Sequence, residues 1–355
     1  MESSMELYQS ATYREDLETT VEHIVNAENL YGSTVLVTGA TGTIGSFVVD
    51  ALLGMNRSRG ANIQVIVAGR NTERLRTRFA WAGGELLTCV HYDIYQPIEF
   101  DLPVDYVIHA AGNATPGAFA KDPVGTIVGN VQGTYALLAY GKTHGMKRFL
   151  YVSSGEVYGT GNAEVEALRE DYSGPLEATS PRSCYPSSKR TAETLCVSYA
   201  QQYDTQAVIV RPCHTYGPGM TESDNRAHAQ FFRNALKQED IVLKSTGKQL
   251  RSYCYVADCV SGLLTVLLCG ENANAYNLAN PEARVTIAQL AQEIASAAGT
   301  KAVFAAATEA DIAQRSPIAK QVLATDKLEA LGWKGAYCVH RGVNRTIKIL
   351  QEVTK

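Results

Sequence analysis

The chain has 355 residues, 45% of them hydrophobic, and a formal net charge of −4. That is enough apolar material for one large or two fused domains, and the charge argues against the basic surface that a nucleic-acid-binding protein needs to neutralise phosphates. No apolar run reaches the roughly 18 residues of a membrane span, and eight cysteines without paired short spacings predict a reducing compartment, the cytoplasm, rather than a disulfide scaffold.

The first ten residues lack the apolar stretch of a secretory leader, which predicts none. Residues 14–28 read as an amphipathic helix with Leu17, Val21, Ile24 and Val25 on one stripe; residues 1–32 therefore form an N-terminal arm. From there strands and helices alternate. Apolar strand-like runs fall at 34–38, 63–68, 105–110, 149–153 and 206–211, and helical patterns at 45–53, 124–143 and 186–203. Such alternation predicts an α/β fold, a doubly wound parallel sheet with helices on both faces. From Cys213 onward turn residues become frequent, as in Tyr216, Gly217, Pro218 and Gly219. The expected division is a dinucleotide-binding domain at 33–212 plus about 252–280, and a smaller, C-terminal substrate-binding lobe from 213–251 and 281–355.

The first strand runs through Gly39, Ala40, Thr41, Gly42, Thr43, Ile44 and Gly45 into a helix. Gly39 permits a tight turn, Gly42 lets the backbone approach a pyrophosphate, and Gly45 lets helix pack on strand. The helix start then offers free N–H groups and a positive dipole end to phosphates. At the end of the second strand, where a carboxylate would hold the ribose hydroxyls of NAD, stand Gly69 and Arg70. Arg70 could meet the 2′-phosphate of NADP or lie flat on adenine, so the local chemistry leans toward NADP. Asp93 and Ile94 are placed at the end of the third strand, where the carboxylate would approach the adenine amine.

Tyr185 and Lys189, four apart, share one helical face, and Pro186 suits a first helical turn. A nearby ammonium and a cationic nicotinamide would lower the tyrosine pKa and make it a base at neutral pH. Ser154, on the loop after a strand, could hydrogen-bond the same substrate hydroxyl.

With these motifs in this order the chain resembles the extended short-chain dehydrogenase/reductases, the NAD-dependent nucleotide-sugar epimerase/dehydratase family. The resemblance runs from about Thr34 to about Trp333 and includes the stretch His109, Ala110, Ala111, Gly112, the stretch Asn130 to Thr134, and Arg211 to Pro218. Within the family it is most similar to UDP-glucuronate decarboxylases, through Pro181 to Tyr185, Lys189 to Leu195, and Asp224, Asn225 and Arg226. The resemblance implies a Rossmann-like domain, a nucleotide-diphosphate sugar as substrate, and bound NAD. It implies Ala110 and Ala111 at the cofactor, and Tyr185, Lys189 and Ser154 opening the reaction by oxidation at C4. Glu156 then acts beside C5, with Gly155, His214, Arg226 and Arg251 around the substrate. It also implies a homodimer built on the helices at 124–143 and 186–203, with Leu137, Leu138, Leu195 and Tyr199 as contacts.

Two positions depart from the family pattern. Gly155 stands where decarboxylases carry a hydroxyl and 4,6-dehydratases an acid; His214 replaces an asparagine and could donate to a phosphate, to a sugar hydroxyl, or simply shape the pocket. No second ligand lies at metal-binding spacing from it, so no metal is expected. Decarboxylation is the leading reading, 4,6-dehydration or 4-epimerisation the alternatives, and a non-catalytic NAD(P)-sensing protein the remote one.

Overall fold

A computed structural model of the chain describes residues 7–161, 164–222, 224–306 and 318–354. Six strands follow one another through the first part of the chain: β1 (Thr34–Thr38), β2 (Gln64–Gly69), β3 (Leu87–His91), β4 (Tyr106–His109), β5 (Arg148–Val152) and β6 (Ala207–Pro212). Helices α1 (Ala11–Glu22), α2 (Thr43–Arg59), α3 (Thr72–Arg78), α4 (Pro116–Lys121), α5 (Pro123–Thr143) and α6 (Cys184–Tyr203) lie before and between them. The strands form one parallel sheet in the order 3-2-1-4-5-6, extended at its far edge by a later strand, Ala275–Leu278.

Strand side chains alternate between faces, and both faces are covered. Val35, Val37, Ile108, Leu150, Val208 and Val210 point toward α2 and the helix Val256–Cys269. Leu36, Val107, Phe149, Tyr151 and Ile209 point the other way, against α5 and α6. Because the inner strands are buried on both sides, their sequences are largely apolar, whereas the edge strand β3 is half-exposed and mixed.

The remaining elements make a second layer around the strand C-terminal ends. Strands β7 (His214–Tyr216), β8 (Ile241–Leu243), β9 (Leu250–Tyr255), β10 (Ala275–Leu278), β11 (Arg284–Thr286), β12 (Ala302–Phe304) and β13 (Lys320–Gln321) follow in chain order. Of these, β9 pairs with β7, β11 and β13, while β8 pairs with β12. Helices α7 (Ala227–Leu236) and Ile287–Ala298 pack beside them, and β10 is the strand that returns to the main sheet.

The arm helix is shorter than the apolar stripe predicts. It stops at Glu22, and Asn26 takes a left-handed backbone (φ 58°), so Ile24 and Val25 pack from a turn instead. Tyr13 donates to Asp50 (2.6 Å), and buried Asp16 accepts from Tyr255 (2.6 Å) and Tyr337 (2.8 Å), fastening α1 to the sheet layer and to the chain's C-terminal part. Two of the expected dimer contacts need correcting: Leu137 and Leu138 are fully buried in the core between the helices and the sheet, Tyr199 is nearly so, and Leu195 is half-buried against it. Exposed apolar side chains on the same helices are Val124, Ile127, Val128 and Tyr135 on α5, and Val197 and Tyr203 on α6.

Candidate functional site

A cavity of about 910 Å³ opens above the C-terminal ends of β1, β4, β5 and β6, between the sheet and the second layer. That is where ligands bind in open parallel sheets. Its floor is the turn from β1 into α2. Gly39 has φ 69°, and a Cβ there would lie 2.5 Å from the Ala110 carbonyl oxygen; a Cβ on Gly45 would collide with the Gly39 carbonyl. Gly42 is different: a Cβ there would have only Gly39 O nearby, at 3.4 Å, so its open side is the cavity. No side chain caps the start of α2, which leaves its first amides and dipole end to a ligand. This cradle fits a dinucleotide pyrophosphate.

Beside the cradle, β5 ends in Ser153 and Ser154. The Ser153 hydroxyl donates to Glu193 (2.5 Å), itself paired with Arg211 (2.7 Å), so the loop after β5 is anchored to α6 and β6. Ser154 caps a single turn, Gly155–Tyr158, by accepting from the Glu156 amide (3.1 Å). From α6, Tyr185 brings its phenol to the Ser154 hydroxyl, and Lys189 Nζ donates to the Val152 carbonyl oxygen (2.9 Å). Asn130 of α5 braces this arrangement by donating to Ser188 (2.9 Å).

Burial dominates the electrostatics. It pushes the Tyr185 phenol up to about 12, with Glu156 adding to the rise and Ser154, Arg226 and Arg182 opposing it. The ammonium of Lys189 is pushed down to about 8 by burial, against the pull of Glu193. The expected lowering of the phenol rests on the ammonium together with a cationic nicotinamide, and the protein's groups alone leave it high. Lys189 lies 5.8 Å from the Tyr185 ring centre and 4.7 Å from that of Tyr151.

Most sequence-derived positions come together in this one cavity. Gly39, Gly42, Thr43, Ile44, Gly45 and Ala110 line it on the cofactor side. Ser154, Gly155, Glu156, Tyr185, Lys189, His214, Arg226 and Arg251 line it on the reacting side. Five others lie off its wall. Thr41 and Ala111 sit just behind the cradle, and Arg70 is exposed past the end of β2. Asp93 lies beyond β3, which ends at His91, and accepts from the Tyr95 amide (3.1 Å); the Ile94 side chain packs against Gly129 and Gly133 of α5.

The substrate-side residues are held differently from one another. Arg226 is clamped on Asp224, with Nε 2.9 Å from Oδ1. Arg251 is buried, donating to the backbone oxygens of Leu250 (2.9 Å) and Ile318 (2.5 Å). The His214 ring lies between those of His228 and Tyr253, and burial with the neighbouring arginines pushes it down to about 3, so it is a neutral imidazole. Its environment suits a neutral donor to the substrate better than a cation. Among the described residues no group of three His, Cys, Asp or Glu could hold a metal ion.

Three residues carried no role in the sequence reading: Arg182 and Gln321, which line the cavity, and Phe119, buried against Tyr185. Phe119 stacks on the Tyr185 ring (centroids 5.0 Å apart, 15° between planes), and Arg182 lies over Phe119 (4.7 Å) while pairing with Glu156 (2.9 Å). Gln321, on β13, donates to the Gly155 carbonyl oxygen (3.1 Å), with its amide nitrogen 3.6 Å from where a Gly155 Cβ would be. Arg182 sits inside a stretch already singled out; Phe119 and Gln321 arrive from distant segments with no local signal.

Comparison with known proteins agrees with this geometry. The family model described as "NAD dependent epimerase/dehydratase family" matches residues 35–279. UDP-glucuronic acid decarboxylase 1 of Xenopus tropicalis is 31% identical over 315 residues, covering 88% of this chain and 71% of the relative. UDP-glucuronic acid decarboxylase 4 of Arabidopsis thaliana is 34% identical over 316 residues, covering 88% and 68%. A dTDP-glucose 4,6-dehydratase of Streptomyces venezuelae, solved with NAD bound, superposes with a TM-score of 0.74 at 25% identity, covering 90% of this chain and 97% of that one. A matching strand–glycine turn–helix, the sheet order and relatives aligned along most of the chain lead to one conclusion: the chain belongs to the NAD dependent epimerase/dehydratase family.

Proposed function

We propose that the protein is an NAD-dependent nucleotide-sugar enzyme that oxidises its substrate transiently at C4 and decarboxylates it, on a substrate of the UDP-glucuronate type. The observation that carries this reading is that Ser154, Glu156, Tyr185 and Lys189 share one cavity with the glycine cradle. The Gly39–Gly45 cradle would hold NAD, which when bound would supply a hydride acceptor for C4 and a positive charge for the phenol's surroundings. Tyr185 takes the C4-hydroxyl proton, with Ser154 holding the hydroxyl in line. Lys189, tethered to Val152, presents its ammonium to the same region. With a ketone at C4 the C5–C6 bond can break, its electron pair delocalising into the carbonyl as CO₂ leaves. Glu156 then helps deliver a proton from solvent to C5 in place of CO₂, and a cofactor that gave its hydride back to C4 would leave no net oxidation.

Gly155 has room for a side chain, since a Cβ would make only ordinary contacts, so the missing hydroxyl or acid is not a steric necessity. The Gln321 amide occupies that neighbourhood instead. Dehydration across C5–C6 and 4-epimerisation are the alternatives, and the intact Ser154, Tyr185 and Lys189 set weighs against a non-catalytic NAD(P) sensor. The exposed apolar residues of α5 and α6 support a homodimer through those helices. Eight free thiols fit a reducing, cytoplasmic setting; no helix among the described residues is long and apolar enough to cross a membrane.

Incubating the purified protein with UDP-glucuronate and other nucleotide-sugars and following product mass tests the reading. Loss of CO₂ supports decarboxylation. Loss of water or an unchanged mass with an inverted centre moves the assignment to the alternatives.

A further inference from the structure

A substrate carrying a carboxylate at C5 needs a cation with uncommitted donors close to the reacting end of the cavity. The cations around it differ in what they have left to offer. Lys189 is tied to the Val152 carbonyl, Arg226 is forked onto Asp224, and Arg251 gives both terminal nitrogens to backbone oxygens. Arg182 uses Nη2 alone, on the two Glu156 oxygens at 3.1 and 2.9 Å. Its Nε and Nη1 make no hydrogen bond among the described residues, and the side chain is 55% exposed where it lines the cavity.

The surroundings place this guanidinium on an aromatic face. It lies over the Phe119 ring at 4.7 Å, and that ring stacks on the ring of Tyr185. The three side chains form a column from solvent to the proposed base, with Glu156 along its side. A guanidinium held on an aromatic face, with free N–H groups, can give a carboxylate a charge-assisted hydrogen bond.

We infer that Arg182 is the specificity-determining residue that binds the substrate's C6 carboxylate, keeping Glu156 on Nη2 and donating to the substrate from its free Nη1. This rests on the decarboxylase reading above. The same arginine would balance two carboxylates that otherwise repel each other across C5, which is why a neutral hexose gains nothing from it. A C6 hydroxyl needs no cation there.

The test is calorimetric titration of the NAD-loaded protein with UDP-glucuronate and with UDP-glucose, in wild type, Arg182→Gln, Arg182→Lys and the double variant Glu156→Gln/Arg182→Gln. Losing a charge-assisted hydrogen bond predicts UDP-glucuronate weakened by about 10–100-fold in Arg182→Gln. UDP-glucose should move less than about threefold, which also reports that the variant is folded. Lysine should restore part of the loss. The double variant separates direct contact from neutralisation: if it stays weak for UDP-glucuronate, Arg182 binds the carboxylate. If it returns to wild-type affinity, Arg182 only masks Glu156 and the inference is overturned. A wild-type preference for UDP-glucuronate that survives in Arg182→Gln overturns this assignment alone. Equal wild-type affinities for the two ligands overturn the decarboxylase reading and this assignment with it.

Discussion

Replacing Gly42 with Ala separates a functional glycine from a structural one. Gly42 is the N-cap of α2, with φ −85° and ψ 166°, a conformation any residue adopts. Its added Cβ would meet protein only at 3.4 Å from Gly39 O, so the fold has room for it. Alanine is a poorer N-cap than glycine by a few tenths to about 1 kcal/mol, while losing glycine's freedom in the unfolded chain returns about 0.4–1 kcal/mol. The two offset, and stability should change by less than about 0.5 kcal/mol. The methyl group, however, stands where a pyrophosphate must touch the backbone. Displacing it from the α2 amides should weaken NAD by about 10–100-fold, the worth of one or two charge-assisted hydrogen bonds. Gly45→Ala is the contrast, because its Cβ collides with the Gly39 carbonyl and overpacking of that kind costs about 1–3 kcal/mol. Thermal denaturation and NAD titration of both variants decide the matter. Wild-type NAD affinity in Gly42→Ala would show that the pyrophosphate does not rest on this turn, whatever else the cavity binds.

Tyr185→Phe should leave folding and NAD binding intact and lower turnover about 10²–10⁴-fold, the usual worth of a general base; near-normal turnover would remove Tyr185 from that role. Glu156→Gln should still permit the first hydride transfer but stall afterwards, so that absorbance of reduced nicotinamide accumulates on mixing with substrate. Normal turnover with an unchanged product mass would instead favour 4-epimerisation. Because no acid stands at Gly69 and Arg70 is exposed beside it, NADP should bind comparably to NAD. Much tighter NAD binding that Arg70→Ala leaves alone would refute this. Finally, burial with Lys189 nearby pushes His109 down to about 3. The unfolded chain, with an ordinary histidine near 6.5, therefore takes up the proton first. Stability from this site is complete above pH ~6.5 and drains as pH falls toward about 3. Chemical denaturation across that range should show a slope that flattens in His109→Gln, and an unchanged slope would discount His109 as its source.

Some of this molecule was written in local pattern. Doubly buried strands leave continuous apolar runs, so β1, β2, β4, β5 and β6 were legible within a residue or so at each end. A glycine turn between strand and helix, and Tyr185 one helical turn before Lys189, are constraints on neighbouring backbone, and local sequence carries them. Local pattern misled where one residue's conformation overrode it. Ile24 and Val25 continue an apolar stripe, yet the helix has already stopped at Glu22 and the left-handed Asn26 turns the chain away. Asp93 reads as a strand end, but it sits past β3 in a turn closed by its own carboxylate.

What tertiary structure alone decided is which faces and distant segments meet. Helix α5 is apolar on more than one side, with Leu137 and Leu138 buried while Val124, Ile127 and Val128 are exposed; periodicity cannot say which side takes the sheet. Phe119 reaches Tyr185 from α4, and Gln321 reaches Gly155 through the pairing of β13 with β9. Nothing near either residue in sequence marks it, because the energy that places it comes from packing between elements far apart in the chain. The pKa values of Tyr185 and Lys189 belong to the same class. Residue types in local sequence mark which groups could perform the chemistry; burial, which exists only once the layers close, is what raises the Tyr185 phenol and lowers the Lys189 ammonium.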